Sequence, residues 1–409
     1  MRTNWIGAES GPREYWRAPY TVLSLCVGAY FAVRFSQVVV GPVVPLVIGE
    51  FGVSRAEIGI ALTGMWVGYA LVQLPSGAFA DRYGARRIVL VALTISAGAT
   101  FVLAGSPTFL AFGIATVGLG IGAGAYYNPA TALLTREFDG IGGVIGVHRI
   151  GGQVAGVAAP IAAAIVSVRY GWRATVAVGA VLAVVVVGLF VRTHTGAPRR
   201  NPETPLRKLF DPATLLRVVT RPHARSTTFM MTLVEFVGLA AMAFLPIFLV
   251  EQYGFSIAGA NVLFAVFFAV SAICQPLSGW LSDRIGRDST AALLALAGLL
   301  GYSALVVGGS VLVAVAAVVL AGGALSTTPV LQARMMDGLS GTNRGRGFGS
   351  FRTLYLLVGS TGTAIVGTTA DVAGWSAAFG LLATLWGVVL LSLVALRSNH
   401  KTGPMLPKQ

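Results

Sequence analysis

The chain has 409 residues, 55% of them hydrophobic and only 11% charged, with a mean hydropathy of +0.78. That balance excludes an ordinary water-soluble protein, in which about a quarter of the residues are charged, and leaves an integral membrane protein. A formal charge of +14 on 29 basic residues would suit nucleic acid in a soluble chain, so their placement decides what the charge means.

Residues 1–19 carry Arg2, Arg13 and Arg17 interrupted by Glu9 and Glu14, without an apolar run, so a short tail and no cleavable leader is expected. A crossing helix needs about 20 apolar residues. Twelve such spans account for the rest. The first six cover roughly 20–48, 57–79, 87–104, 108–134, 142–168 and 172–191, and the second six 226–250, 257–281, 290–308, 312–336, 345–370 and 375–396. The segment 192–225 between the two sets holds eight arginines and lysines and four prolines before Arg221, which marks it as a linker. Within it, Asp211 followed by Pro212 reads as a helix start for a short amphipathic helix to Val219 on the membrane surface. The expected organisation is therefore an N-terminal tail (1–19), a six-helix bundle (20–191), a basic linker (192–225), a second six-helix bundle (226–396) and a C-terminal tail (397–409).

On this topology 23 of the 29 basic residues fall on one face; only Arg55, Arg169 and Arg173 lie in loops of the other, and Arg34, Arg149 and Arg352 lie within spans. This is the positive-inside distribution, which predicts both termini in the cytoplasm and removes nucleic acid as a partner. Cys26 and Cys274 sit in different halves, and the four histidines form no metal-binding pattern, so no disulfide, metal or cofactor is expected.

The turn between spans 2 and 3 reads Gly77-Ala-Phe-Ala-Asp81-Arg82-Tyr-Gly84-Ala-Arg86-Arg87. A near copy stands 202 residues later as Gly279-Trp-Leu-Ser-Asp283-Arg284-Ile-Gly286-Arg287, with Gln73 and Ser76 returning as Gln275 and Ser278. A second set, Gly146, Arg149, Gly156, Gly171 and Trp172, returns 203 residues later as Gly349, Arg352, Gly359, Gly374 and Trp375. The chain is two related halves. In each turn a glycine supplies the reversal and the arginines suit headgroups. The motif resembles the signature loop of the major facilitator superfamily. The resemblance implies an all-α membrane fold of twelve transmembrane helices in two pseudo-symmetric six-helix bundles, with substrate held near the midplane between them. It further implies that Asp81 faces the start of span 11 and Asp283 the start of span 5. These contacts would gate one side of the membrane.

Charges inside spans are costly and mark candidate sites. Arg34 lies about 21 Å along span 1, with Tyr30, Gln37 and Gly41 on its face at helical spacing. It suits either a substrate or gating role or a structural ion pair. Glu235 in span 7, the one carboxylate well inside a span, suits either a proton carrier or a permanent partner of Arg34. Arg149 and Arg352 are repeat-related, with Gln153 and Tyr355 one turn along. They suit either a symmetric anion clamp or anchoring to loops and headgroups. In span 4, Gly118, Gly120, Gly122 and Gly124 are read as close helix packing, since no Lys-Ser or Lys-Thr follows to make a phosphate loop. Tyr126, Tyr127 and Asn128, with Trp66, Tyr69 and Gln73 on span 2, could line the cavity or only pack.

Within the superfamily, the arginine that often precedes the span-4 glycines is replaced here by Thr116, and span 5 has Gly152, Gly156 and Pro160 without the full glycine-proline pattern of many drug antiporters. Arg34-x6-Gly41-Pro42-x-x-Pro45 is similar to helix 1 of the cyanate-permease-like branch, which handles small anions. The expectation is a monomeric secondary transporter of a small solute, an anion by the excess of intramembrane arginine. The alternatives are a proton-coupled drug efflux antiporter and a non-transporting membrane sensor. No enzyme is expected, for want of a nucleophile triad, paired carboxylates or a metal cluster.

Overall fold

The computed structural model describes residues 17–138, 141–193, 222–338 and 344–402. Every regular element among them is helical. Among the described residues nine helices are long and apolar enough to cross a membrane, and the bent helix Arg55–Tyr83 adds a tenth. Two of the nine, of 51 and 50 residues, would be about 75 Å long if straight, far beyond a hydrocarbon core of about 30 Å. Each instead reverses at one glycine, Gly171 (φ 79°, ψ 172°) and Gly374 (φ 80°, ψ 172°), a conformation that side chains disfavour. The chain therefore crosses twelve times, as the sequence predicts. The repeat-related glycines fold alike.

The turns follow the same symmetry. Gly84 and Gly286 (φ 98° and 89°) reverse the chain between spans 2 and 3 and spans 8 and 9. This is called the hinge face. On the far face, spans 2, 4, 8 and 10 start at hydroxyl caps from Ser54, Thr108, Ser256 and Ser310, and Ser54 forms a reciprocal box with Glu57.

Three spans are interrupted where the hydropathy pattern predicts continuity. Span 1 comprises Arg17–Val38 and Val40–Phe51, span 10 comprises Val311–Ala324 and Thr327–Asp337, and span 11 comprises Arg344–Gly359 and the start of Thr361–Thr402. In span 10 the break follows Gly322 and Gly323, where Leu325 and Ser326 bond three residues back and tighten the turn. Span 7 starts at Pro222, inside the predicted linker, because proline suits the first turn of a helix. The predicted linker helix to Val219 lies outside the described residues.

The span-4 glycines act as the sequence suggests. A β-carbon on Gly120 would meet the Met65 backbone, one on Gly124 the Tyr69 backbone, and one on Gly122 Ser96. Spans 2, 3 and 4 thus approach backbone to backbone. The halves meet through repeat-related pairs, span 2 against span 11 and span 5 against span 8. Thr63 Oγ1 donates to the Ser360 carbonyl at the break in span 11 (3.0 Å), and Thr363 Oγ1 donates to Gly59 (3.0 Å). Gly41 of span 1 abuts the Met242 carbonyl of span 7.

Candidate functional site

Between the halves lies a cavity of about 190 Å³ bordered by spans 1, 5, 7, 8 and 10. Tyr30, Arg34, Arg149 and Gln153 line it from one half, Glu235 and Gln275 from the other. Arg34 Nη1 donates to Gln37 Oε1 at 3.0 Å, one turn along the same helix, and its guanidinium stands 5.9 Å from the Trp66 ring centre. Glu235 makes no ion pair among the described residues, although Arg352 and Arg34 both lie within electrostatic reach. Gly359 makes room for it: a β-carbon there would collide with the Glu235 side chain. A contact pair between Arg34 and Glu235 is absent from this arrangement. Both side chains are half-buried and face the cavity.

The repeat-related arginines are not equivalent. Arg149 is exposed and lines the cavity. Arg352 Nη2 instead donates to the Tyr69 hydroxyl (3.3 Å), and its guanidinium stands 5.3 Å from the Tyr127 ring centre. Spans 2 and 4 thus hold Arg352 in a tyrosine cage beside the cavity. Tyr126 and Tyr355 are buried in packing: Tyr126 donates to the Cys26 carbonyl (2.7 Å), and Tyr355 accepts from Gln332 (3.1 Å).

Two constellations escape the sequence reading. The first is His148, fully buried and ringed by Tyr30, Tyr126 and Tyr127 at centroid distances of 5.0, 5.9 and 5.6 Å. Because Tyr126 spends its proton on Cys26, it accepts from His148 Nε2 at 3.1 Å, which fixes the imidazole tautomer. The second ties the two halves together at the far face. Arg55 at the start of span 2 forms ion pairs with Glu251 at the end of span 7 and Asp371 at the end of span 11. Asp371 also accepts from the backbone N–H of Arg55 (3.3 Å) and Ala56 (2.7 Å), so a carboxylate of one half caps a helix of the other. The Trp375 indole donates to Glu251 (2.7 Å). Its counterpart Trp172 donates to Glu50, whose other oxygen takes Arg173 of the same half. The signal was present in the repeat of Trp172 and Trp375; the cross-half partner Arg55 has no repeat mate to reveal it.

At the hinge face the ion pairs described run within one half. Asp283 accepts from Arg287 (2.6 Å), Arg287 also pairs with Asp337, and Arg334 pairs with Asp288. Arg86 donates to the Phe190 carbonyl at the end of span 6 (3.2 Å). Arg82 and Arg284 lie over Tyr83 and Trp280. Gly279 has open space around it, Gly77 meets only the Asn128 side chain at 3.9 Å, and Arg87 is exposed. The side chains that open spans 5 and 11, residues 139–141 and 339–347, lie outside the described residues, and with them the predicted contacts of Asp81 and Asp283.

The sequence profile of the Major Facilitator Superfamily matches residues 26–259 and 226–408. The chain belongs to the Major Facilitator Superfamily. It is a multi-pass membrane protein of that family. Among its relatives are the nitrite extrusion protein of Bacillus subtilis (strain 168), 26% identical over 247 residues that make up 58% of each chain, and the membrane sensor protein UhpC of Escherichia coli (strain K12), 26% identical over 70% of each. The match thus spans less than two thirds of the first relative. A bacterial homologue of the human lysosomal transporter Spinster, solved inward-facing and unoccupied, shares the fold with a TM-score of 0.74 at 19% identity, over 95% of this chain and 94% of that one.

Proposed function

We propose that this superfamily member carries a small anion across the cytoplasmic membrane by rocking its two bundles, 20–191 and 226–396, around the central cavity. The observation that carries the reading is the charge of that cavity: Arg34 and Arg149 line it and Arg352 stands beside it, against the single carboxylate Glu235. Only one N–H of Arg34 is engaged by a described partner, which leaves its planar fork to match an oxyanion. The similarity to a nitrite extrusion protein agrees with an anion. The basic excess supports reading the hinge face, and both termini, as cytoplasmic. One chain supplies both walls of the cavity, so a monomer suffices. A thermal-shift series on the purified protein tests this. Nitrate, nitrite or acetate should raise the melting temperature in a dose-dependent way. Stabilisation by tetraphenylphosphonium and by none of the anions would contradict it.

The far-face latch and the within-half pairs at the hinge face support reading this arrangement as closed outside and open inside. Asp81 and Asp283 then take up the starts of spans 11 and 5 when the halves rock back. Glu235 supports proton coupling, the feature shared with the drug-antiporter alternative. Glu235→Gln should keep anion exchange, which needs no net proton movement, while losing accumulation driven by a pH gradient. Its folded yield should hold, since no ion pair is broken. Full pH-driven accumulation in the variant would remove the carboxylate from the coupling step. A non-transporting sensor of this fold would bind the anion and fail to exchange it.

A further inference from the structure

The polar stripe of span 1 continues past Arg34. Gln37 lies one turn further toward the far face and is 2% exposed. Its Oε1 is taken by Arg34 Nη1, which orients the amide, and its Nε2 has no hydrogen-bond partner among the described residues. Leaving such a buried donor unpaired costs stability, which a partner entering from the cavity would recover. Gln37 borders a second void of about 10 Å³, walled by Trp66, Gly41 and Met242, and Met242 also lines the main cavity. That volume holds about one water-sized group.

We propose that an anion on Arg34 places one oxygen in this void, where it accepts from Gln37 Nε2, and that Gln37 thereby selects anions whose oxygens fan out from one central atom. A carboxylate, nitrite or nitrate spans the two donors. A spherical monoanion of similar size satisfies the guanidinium alone. The inference rests on the anion reading above and adds the residue that sets its specificity.

Nitrate and bromide, titrated calorimetrically into the purified full-length protein, separate the cases. Gln37→Ala should cut nitrate affinity about tenfold and leave bromide within about twofold, since one hydrogen bond to a charged group is lost. Gln37→Asn, which keeps the amide and draws it back by one methylene, should show the same selective loss. Equal weakening of both anions would mean that Gln37 only positions Arg34, and unchanged nitrate affinity would mean that it touches nothing; either result overturns the proposal. A wild type that binds neither anion, with Arg34→Gln no different, would instead defeat the anion reading itself.

Discussion

Arg34→Gln is expected to weaken nitrate binding by about 10- to 150-fold, the equivalent of the roughly 1.5–3 kcal/mol that a charge-assisted hydrogen bond contributes. Arg34→Lys should fall between the two, because it keeps the charge and loses the two-pronged geometry. Neither variant should unfold the protein. Arg34 makes no ion pair that its removal would orphan, and its described contacts are one hydrogen bond to Gln37 and the face of Trp66. Calorimetric titration alongside size-exclusion yield separates the two effects. Unchanged affinity in Arg34→Gln would move the anchor to Arg149, the other arginine lining the cavity.

The second large effect belongs to the far-face latch. Arg55, Glu251 and Asp371 are each partly exposed, with side-chain exposures of 30, 33 and 22%, so each ion pair is worth at most about 1 kcal/mol. The capping of span 2 by Asp371 adds roughly 0.3–2 kcal/mol. Together they bias the two states by about 0.7–4 kcal/mol, so Arg55→Ala with Asp371→Ala should raise the far-open population by about 3- to 900-fold. A cysteine at Met242, between the main cavity and the smaller void, reports this in a background with Cys26 and Cys274 replaced by alanine. A membrane-impermeant maleimide added outside intact cells should label it faster in the latch variant. The charge swap Arg55→Glu with Glu251→Arg should restore part of the protection. Equal labelling rates would show that the close packing at Gly41 and the hydrogen bonds of Thr63 close this face unaided.

Sequence alone revealed the architecture because membrane burial imposes long apolar runs, and because gene-level duplication left the Asp81 and Asp283 turns and the Gly171 and Gly374 reversals in register. It placed Arg34, Glu235 and Arg149 at the cavity for a simple reason: an isolated charge in hydrocarbon needs one. It could not show that Arg352, the repeat mate of Arg149, turns away to Tyr69 and Tyr127, since that depends on how spans 2 and 4 approach through Gly120 and Gly124. Breaks at Val39, Leu325 and Ser360 were equally hidden. A helix interrupted for one or two residues keeps its hydropathy, and the group that compensates, as Thr63 does for the Ser360 carbonyl, lies 297 residues away. The latch was hidden for the same reason: Arg55 looked like a loop residue until its two carboxylates arrived from the other half.

We propose that the arginine-lined cavity carries an anion. Its most direct test is the exchange of labelled nitrate across proteoliposomes preloaded with unlabelled nitrate, for the wild type and for Arg34→Gln. Saturable exchange is expected in the wild type, with a loss of at least about tenfold in the variant at sub-saturating nitrate. Exchange of tetraphenylphosphonium without any exchange of nitrate would contradict it, whereas nitrate exchange that is the same in both proteins would move the anchor to Arg149.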